Sequence, residues 1–198
     1  MSFNNLGLSP ELLKAIEDKG YTKPSEIQQQ AIPEILQGND IMGGAQTGTG
    51  KTAAFALPIL QRLQNDESKR RRVRSLVLVP TRELASQVGD SFRSYGNTLR
   101  FRTSTLYGGV SIKTQKDKLR KGVDIVVATP GRLIDHLEQR TLDLSELEVF
   151  VLDEADRMLD MGFIRDIKRV LKYLPKKTQN LLFSATFPKE IQALADSL

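Results

Sequence analysis

The glycine-rich segment from Gly43 to Thr52 constrains the fold more than any other part of the sequence. A short apolar run, Ile41-Met42, precedes it, and a stretch with helical character, Ala53–Gln64, follows it. Glycines let a loop curl so that successive N–H groups point at one anion, and the helix that begins there adds the positive end of its dipole. This order of strand, loop and helix predicts a phosphate-binding loop in an α/β fold.

The end of this loop carries side chains suited to a nucleotide. Lys51 can reach the β- and γ-phosphates, and the Thr52 hydroxyl can complete part of a Mg²⁺ shell. The strict pattern has glycine where this chain has Ala45, so on the loop alone a glycine-rich turn with a surface lysine stays an alternative. The residues expected to contact the nucleotide here are Ala45, Gln46, Thr47, Gly48, Thr49, Gly50, Lys51 and Thr52.

Strand-like and helical patterns alternate along the rest of the chain. Several apolar runs are continuous, as expected of parallel strands that are covered on both faces. The later runs are Leu76–Val79, Thr103–Leu106, Asp124–Ala128, Val149–Leu152 and Leu181–Ser184. Helix signals separate them, such as Ser9-Pro10 at a helix start and Gly96 after Arg82–Tyr95. We predict one α/β domain over residues 1–198, with a mostly parallel sheet and helices on both faces.

Composition excludes several classes of protein and of site. The chain has no cysteine, which excludes disulfides, thiolate metal sites and cysteine nucleophiles, and its one histidine cannot build a multi-histidine metal site. No apolar run approaches the roughly 18 residues that span a bilayer. The amino end lacks the layout of a secretory signal. We therefore expect a cytoplasmic, monomeric chain with no membrane partner.

The net charge of +5 suggests a nucleic-acid partner, but it comes from one tract. Lys69, Arg70, Arg71, Arg72 and Arg74 supply five positive charges, and without them the charges of the chain balance. We interpret the tract first as a solvated loop, with an RNA contact as the alternative. Composition alone is therefore weak evidence for a nucleic-acid partner.

A pair of carboxylates forms the second chemical feature. The apolar run Val149–Leu152 ends in Asp153-Glu154-Ala155-Asp156. Carboxylates at the carboxyl end of a parallel strand lie at the crevice where such sheets bind ligands. Asp153 is suited to hold Mg²⁺ and Glu154 to orient or deprotonate water, although such residues often only cap the next helix. The phosphate loop earlier in the chain favours the nucleotide interpretation.

The segments Ala45–Thr52 and Asp153–Asp156 together resemble those of the DEAD-box ATP-dependent RNA helicases. In that family, alanine in place of the first glycine of the strict phosphate-loop pattern, as at Ala45, is normal. Further strings in the family's order extend the resemblance over the whole chain. They are Pro80-Thr81-Arg82-Glu83-Leu84-Ala85, Gly108-Gly109, Thr129-Pro130-Gly131-Arg132 and Ser184-Ala185-Thr186. The resemblance implies a RecA-like P-loop domain, ATP and Mg²⁺ as cofactors, and RNA as a partner.

The resemblance also implies an adenine-recognition motif between Phe3 and Gln28. In it, Gln28 would hydrogen-bond the adenine edge, Tyr21 would pack on its face, and Phe3 and Lys23 would belong to the same nucleotide site. An amide offers a donor and an acceptor together, which suits a base edge. The local alternative is a capping box, because Ser25 and Gln28 have the spacing that closes a helix start. Both interpretations can hold at once.

Three strings resemble the family's RNA-facing loops. They comprise Pro80, Thr81 and Arg82; Gly108 and Gly109; and Thr129, Pro130, Gly131 and Arg132. The first and last start helices, so their N–H groups and side chains can meet phosphates, and the glycine pair permits close backbone approach. Each string alone is a common turn or cap. Contacts to phosphate and sugar would imply RNA binding without strong sequence preference.

The resemblance assigns a coupling role to Asp156, Ser184 and Thr186, which would link ATP hydrolysis to strand separation. The alternative is that the two hydroxyls cap the helix that begins near Pro188. We interpret His136 as an ordinary helical residue among apolar neighbours.

In the resembled family, arginine fingers come from a second RecA-like domain, in a string similar to His-Arg-x-Gly-Arg that this sequence lacks. We therefore expect the chain to be the amino-terminal domain of a two-domain helicase, which binds ATP but hydrolyses it poorly. An ATP-gated RNA clamp and a DNA-directed RecA-like motor are the alternatives.

Overall fold

Within the residues described by the computed structural model, 1–66 and 70–198, six strands form one sheet. They are β1 (Ile41–Gly44), β2 (Ser75–Leu78), β3 (Thr103–Leu106), β4 (Ile125–Ala128), β5 (Val149–Leu152) and β6 (Gln179–Ser184). Their order across the sheet is β1-β6-β5-β2-β4-β3, and each of these pairings is parallel. The predicted parallel sheet is confirmed.

Nine α-helices occur in the same described residues, after a 3₁₀ turn at Phe3–Asn5. They are α1 (Pro10–Asp18), α2 (Glu26–Leu36), α3 (Lys51–Gln64), α4 (Arg82–Tyr95), α5 (Ile112–Arg120), α6 (Pro130–Glu138), α7 (Ala155–Asp160), α8 (Ile164–Leu171) and α9 (Lys189–Asp196). Polar caps set several starts; the Ser9 hydroxyl, for example, accepts a hydrogen bond from the Leu12 N–H. None of the helices described has the length and apolar character that crossing a bilayer needs.

The strands bury side chains on both faces of the sheet. In β5, Val149 and Val151 pack with α1 to α4, whereas Phe150 and Leu152 pack with α6 to α9. Because a side chain on either face meets apolar neighbours, both alternating sets of residues must be apolar. This burial explains the continuous apolar runs in the sequence and confirms that helices cover both faces.

The basic tract lies just before β2, at the amino-terminal edge of the sheet. Arg74 is buried and pairs with Glu148, while Arg71 pairs with Asp124. These carboxylates immediately precede β5 and β4, the two neighbours of β2. The interpretation of a solvated loop is therefore wrong for the buried Arg74, whereas Arg71 is exposed in a loop although its charge is paired. Lys69 lies outside the described residues.

The opposite, carboxyl-terminal edge of the sheet divides into two halves. In the phosphate-loop half, β1, β6 and β5 lead into the segments 45–52, 184–186 and 153–156. In the arginine half, β2, β4 and β3 lead into 80–82, 129–132 and 107–110, which contain Arg82 and Arg132. Neighbouring parallel strands end at the same edge, so the sheet order alone brings each set of three segments together.

Candidate functional site

The phosphate loop is shaped by glycines and closed by a side chain. Gly48 and Gly50 have φ angles of +84° and +79°, in the left-handed region that favours glycine. The Thr49 hydroxyl donates to the Gln46 carbonyl over 2.7 Å. The loop therefore curls at the start of α3, where free backbone N–H groups and the helix dipole favour an anion.

A buried ion pair connects this loop to the carboxylates after β5. The Lys51 ammonium nitrogen lies 2.8 Å from Oδ1 of Asp153 and 3.7 Å from Oε1 of Glu154. Apart from this ion pair, neither oxygen of the fully buried Asp153 has a hydrogen-bond partner among the described residues. Burial raises the pKa of Asp153, while the Lys51 ammonium opposes that rise. Asp153 is thus a desolvated carboxylate with capacity for further ligands.

Glu154 adopts an unusual backbone conformation at the start of α7. Its φ and ψ of 55° and 52° are left-handed, which costs a residue with a Cβ about 1–3 kcal/mol. The turn leaves its carboxylate near Lys51 on one side and 3.4 Å from the Arg157 guanidinium on the other. Two adjacent carboxylates thereby approach the same ammonium group.

The donor set suits a magnesium ion that arrives with a nucleotide. Over residues 1–66 and 70–198, no group of three or more acidic, histidine or cysteine side chains could hold a metal ion alone. Mg²⁺ commonly uses one or two carboxylates together with substrate phosphates and water. The Asp153 oxygens, which have no hydrogen-bond partner among the described residues beyond the Lys51 ion pair, and the Thr52 hydroxyl in the first turn of α3 fit that pattern.

Gln28 joins α2 to the phosphate loop. Its Oε1 accepts a hydrogen bond from the Ser25 N–H over 3.0 Å, and its Nε2 donates to the Gly50 carbonyl over 3.0 Å. The capping interpretation is therefore confirmed for this side chain. An amide has two lone pairs and two N–H groups, so one acceptor and one donor site stay available for a base edge.

A cleft of about 380 Å³ opens above the loop. The sequence-predicted residues that line it are Tyr21, Gln28, Thr47, Gly48, Gly50, Lys51, Thr52 and Glu154. On the other side of the loop, Ala45, Gln46 and Thr49 line a separate cavity of about 470 Å³. Phe3 is buried in the core and Lys23 is exposed, and neither lines the 380 Å³ cleft.

The segment after β6 makes hydrogen bonds to the segment after β5. Asp156 accepts bonds from the N–H and the hydroxyl of Thr186 over 3.1 and 3.0 Å, and its own N–H donates to the Ser184 hydroxyl over 3.1 Å. Burial alone raises the pKa of Asp156, but the hydroxyls of Thr186 and Ser184 and backbone N–H groups together lower it below its usual value. The three predicted coupling residues thus form one connected group.

The three segments of the arginine half contact one another. The Arg82 guanidinium lies over the Tyr107 ring, 5.2 Å from its centroid, and a Cβ added at Gly109 would lie 3.1 Å from its Nη1. Arg132 donates from Nη1 to the Val110 carbonyl over 3.0 Å. Two arginines from different helices, α4 and α6, therefore hold the 107–110 loop between them.

The two threonines of this half differ. The Thr81 hydroxyl accepts a hydrogen bond from the Leu84 N–H over 3.2 Å, so it caps α4. Thr129 precedes α6 but makes no side-chain cap. The glycines Gly108, Gly109 and Gly131 and the Arg82 side chain are exposed, whereas Pro80 and Pro130 are buried.

A family model described as DEAD/DEAH box helicase matches residues 25–194. This chain belongs to the DEAD/DEAH box helicase family. The predicted family resemblance is confirmed. The chain spans well under two thirds of the curated relatives that it matches.

Similar proteins include the DEAD-box ATP-dependent RNA helicase RhpA of Helicobacter pylori, 49% identical over 197 residues, which cover 100% of this chain and 39% of RhpA. The helicase CshA of Bacillus cereus is 47% identical over 98% of this chain and 37% of its own. A crystal structure of a DEAD box protein from Methanococcus jannaschii superposes with a TM-score of 0.93 at 44% identity, covering 99% of this chain and 53% of that one.

Residues of α4 belong to the cleft of this DEAD/DEAH box chain although sequence reasoning missed them. Gln87, Ser91 and Tyr95 line it, together with Lys19, whose ammonium lies 4.5 Å from the Tyr95 ring centroid. Burial, and next the neighbouring Tyr21, raise the pKa of Tyr95. The spacing of four residues along α4 was the available signal, since such residues share one helix face.

His136 lies in α6 among buried apolar residues, as predicted, but its hydrogen bonds were not foreseen. The side chain is fully buried, with Nε2 2.9 Å from Oε1 of Gln115 and Nδ1 2.8 Å from the Thr141 hydroxyl. Burial, and next the charges of Arg132 and Lys116, lower its pKa from 6.5 to about 4. A neutral histidine therefore lies beneath the arginine half.

Proposed function

We propose that this chain binds ATP with Mg²⁺ on the phosphate-loop half and an RNA backbone on the arginine half, as part of an ATP-dependent RNA helicase. The observation that carries the proposal is the strand order, because β1-β6-β5 and β2-β4-β3 gather the two sets of segments into adjoining halves of one edge. Each set lies where parallel sheets bind ligands. The names of the relatives RhpA and CshA support the same activity.

Nucleotide binding changes the partner of Lys51 in this proposal. The ammonium group already lies in the cleft, paired with Asp153, and phosphate oxygens would take over that pairing. Asp153 and Thr52 would then hold Mg²⁺, which would neutralise phosphate charge. Glu154, on its left-handed turn, would orient the attacking water. The free donor and acceptor of Gln28 would read the adenine edge.

RNA binding in this proposal uses phosphates and not bases. Arg82, Arg132 and the N–H groups at the starts of α4 and α6 all lie at the arginine half. Guanidinium groups and helix N-termini recognise phosphate, which gives affinity without strong sequence preference. A preference for RNA over DNA would come from 2′-hydroxyl contacts.

Efficient hydrolysis would require arginine fingers from a second RecA-like domain, as the family resemblance implies. Such a group stabilises the charge that develops on the transferred phosphoryl group and contributes roughly 10³–10⁵ in rate. We therefore expect this chain by itself to bind ATP and turn it over slowly. RNA-stimulated turnover by the 198-residue chain at the rate of a two-domain helicase would contradict this part of the proposal.

The proposal is tested by measuring both ligands on the same protein. Fluorescent ATP and a fluorescein-labelled single-stranded RNA are titrated into the wild-type chain, Lys51→Ala and Arg132→Ala. We expect Lys51→Ala to lose ATP binding while it keeps RNA binding, and Arg132→Ala to show the reverse. DNA of the same sequence is the control, and tighter binding of DNA than of RNA would favour a DNA-directed motor. The proposal is overturned if Lys51→Ala still binds ATP and Arg132→Ala still binds RNA.

A further inference from the structure

The arginine half rests on a buried polar pair that its surface residues do not reveal. Gln115 in α5 is 5% exposed, and His136 in α6 is completely buried. Neither belongs to a segment that the nucleotide or RNA proposal uses. Buried polar groups persist in folded proteins when their hydrogen bonds are satisfied, so the partners of this pair show what it holds in place.

The orientation of the Gln115 amide is fixed by its neighbours. Its Nε2 donates to the Tyr107 carbonyl over 2.9 Å, so its Oε1 points the other way. That oxygen accepts from Nη1 of Arg132 over 3.2 Å and lies 2.9 Å from Nε2 of His136. A reversed amide would direct N–H groups at a guanidinium and an oxygen at a carbonyl. The amide therefore bonds the 107–110 loop with one end and Arg132 with the other.

The protonation of His136 follows from these contacts together with its burial. Because Oε1 of Gln115 can only accept, Nε2 of His136 carries a hydrogen. The Thr141 hydroxyl lies 2.8 Å from Nδ1 and 3.1 Å from the His136 carbonyl, and its one hydrogen can bond either acceptor. Burial, and next the charges of Arg132 and Lys116, lower the pKa of His136 to about 4, so the imidazole is neutral at neutral pH. Its N–H saturates the second lone pair of the amide oxygen without placing another positive charge beside Arg132.

The result is a guanidinium fixed on its inner side. Nη1 of Arg132 donates to both Val110 and Gln115, and Nε lies 3.6 Å from a carboxylate oxygen of Asp135. Nη2 makes no hydrogen bond within the described part of the chain, and the side chain is 13% exposed. Because Nη1 of Arg132 is already held, the side chain loses less conformational entropy when Nη2 binds an anion.

We infer that Gln115 and His136 are positioning residues that hold Arg132 and the 107–110 loop in one arrangement for binding an RNA phosphate. The inference rests on the proposed RNA-binding function of Arg132 and names residues that would set its affinity without touching the RNA. It places them in contact with the arginine half only, so nucleotide affinity should be unaffected.

Two conservative variants of His136 test the inference. The amide nitrogen of His136→Gln can occupy the position of Nε2 and keep the bond to Gln115, whereas the shorter His136→Asn can replace only Nδ1. We expect His136→Asn to weaken binding of a fluorescein-labelled single-stranded RNA by about three- to tenfold, the effect of one lost hydrogen bond. His136→Gln should stay within about twofold of wild type, and both should bind fluorescent ATP normally.

Thr141→Val separates positioning from stability. It removes the hydroxyl that contacts Nδ1 of the same ring and the His136 carbonyl, and it leaves the link to Gln115 intact. We expect a lower melting temperature with unchanged RNA affinity. The inference is overturned if RNA affinity instead follows melting temperature across all three variants. It is also overturned if His136→Gln and His136→Asn bind RNA with the same affinity. If Arg132→Ala itself leaves RNA affinity unchanged, the RNA surface proposed above fails, and the inference fails with it.

Discussion

The phosphate-loop half and the arginine half of the sheet edge hold their positive charges in opposite ways. In the first, Lys51 is buried and pairs with Asp153 over 2.8 Å. In the second, Arg82 lies over an aromatic ring, and Arg132 bonds a carbonyl and an amide and makes a longer ion pair, 3.6 Å, with the exposed carboxylate of Asp135.

The difference matches the ligands that we propose. A small, highly charged nucleotide with its metal ion can replace an existing ion pair, so the apo site can neutralise its own charges until it binds. A long polymer binds through many weak phosphate contacts at an open surface, where guanidinium groups must stay accessible. The predictions below test whether the two halves differ in this way.

The largest effect is expected at Lys51. Replacing it by Met leaves Asp153 as a buried carboxylate without its cation, which should lower the free energy of unfolding by about 3–5 kcal/mol. Adding Asp153→Asn removes the orphaned charge and should restore most of that loss. Arg132→Met in the arginine half should cost no more than about 1 kcal/mol, because its ion pair with Asp135 is long and the Asp135 carboxylate is exposed to solvent. Urea unfolding of the four proteins measures the difference, and equal costs for the two single variants would refute it.

The second effect concerns pH and arises in the arginine half. His136 has a pKa near 4 in the folded chain and 6.5 when unfolded, so the unfolded state binds more protons between these values. The free energy of unfolding should therefore fall as pH drops from 6.5 to 4, by up to about 1.4 kcal/mol per unit and about 3 kcal/mol in all. Below pH 4 this loss of stability stays constant, and above pH 6.5 there is no loss.

The control for the pH effect is His136→Gln, which has no titrating group. The difference between the wild-type and variant profiles isolates the histidine from the carboxylates that titrate in the same range. Stability profiles that run parallel from pH 6.5 to 4 would show that the imidazole is not held neutral.

Sequence patterns predicted the fold and the phosphate-loop half well for a physical reason. Consecutive residues carry that information: a glycine loop between a strand and a helix at 43–52, and carboxylates directly after a buried strand at 153–156. The parallel sheet follows from the continuous apolar runs, because a strand covered on both faces needs both sets of residues to be apolar.

The arginine half could not be read in the same way, because its contacts join residues far apart in the chain. His136 and Gln115 are separated by 21 positions. The same difficulty applies at the amino-terminal edge of the sheet, where Arg74 and Glu148 are separated by 74. Nothing in a local pattern separates a buried, neutral histidine from a surface one, or a paired arginine from a solvated one. Only the side-chain contacts between α5 and α6 and the strand order decide these cases.

The third effect concerns how tightly Gln28 fits the phosphate loop. Gly48 and Gly50 both have left-handed φ angles, so alanine at either should cost about 1 kcal/mol in backbone strain. A Cβ at Gly50 would also collide with Nε2 of Gln28, whereas one at Gly48 meets nothing within 4 Å. Gly50→Ala should therefore displace Gln28 and lose a further 1–2 kcal/mol, roughly the value of its hydrogen bonds.

The nucleotide readout for this pair is the selectivity for ATP over GTP. If Gln28 reads the adenine edge, Gly50→Ala should reduce that selectivity and Gly48→Ala should not. Equal changes in ATP, GTP and UTP affinity would leave Gln28 with its capping role alone.

The smallest effect is expected where the segments after β5 and β6 meet. Thr186→Val removes the hydroxyl that donates to Asp156 over 3.0 Å but keeps the backbone N–H bond at 3.1 Å, so it should cost about 1 kcal/mol or less. It should also raise the pKa of Asp156, because a hydrogen bond that lowers the pKa is lost. Carboxyl NMR titration measures this shift, with Thr186→Ser as the control that restores it.

The consequence for function would be specific to coupling. Asp156 and Thr186 are not part of the ion pair between Lys51 and Asp153. The ATP affinity of Thr186→Val should therefore match that of wild type. In the longer helicase that we propose, RNA unwinding per ATP hydrolysed should fall while both ligands still bind. An equal loss of ATP affinity would mean that the hydroxyl helps to build the nucleotide site, and the phosphate-loop half would then act as one unit with no separate coupling contact.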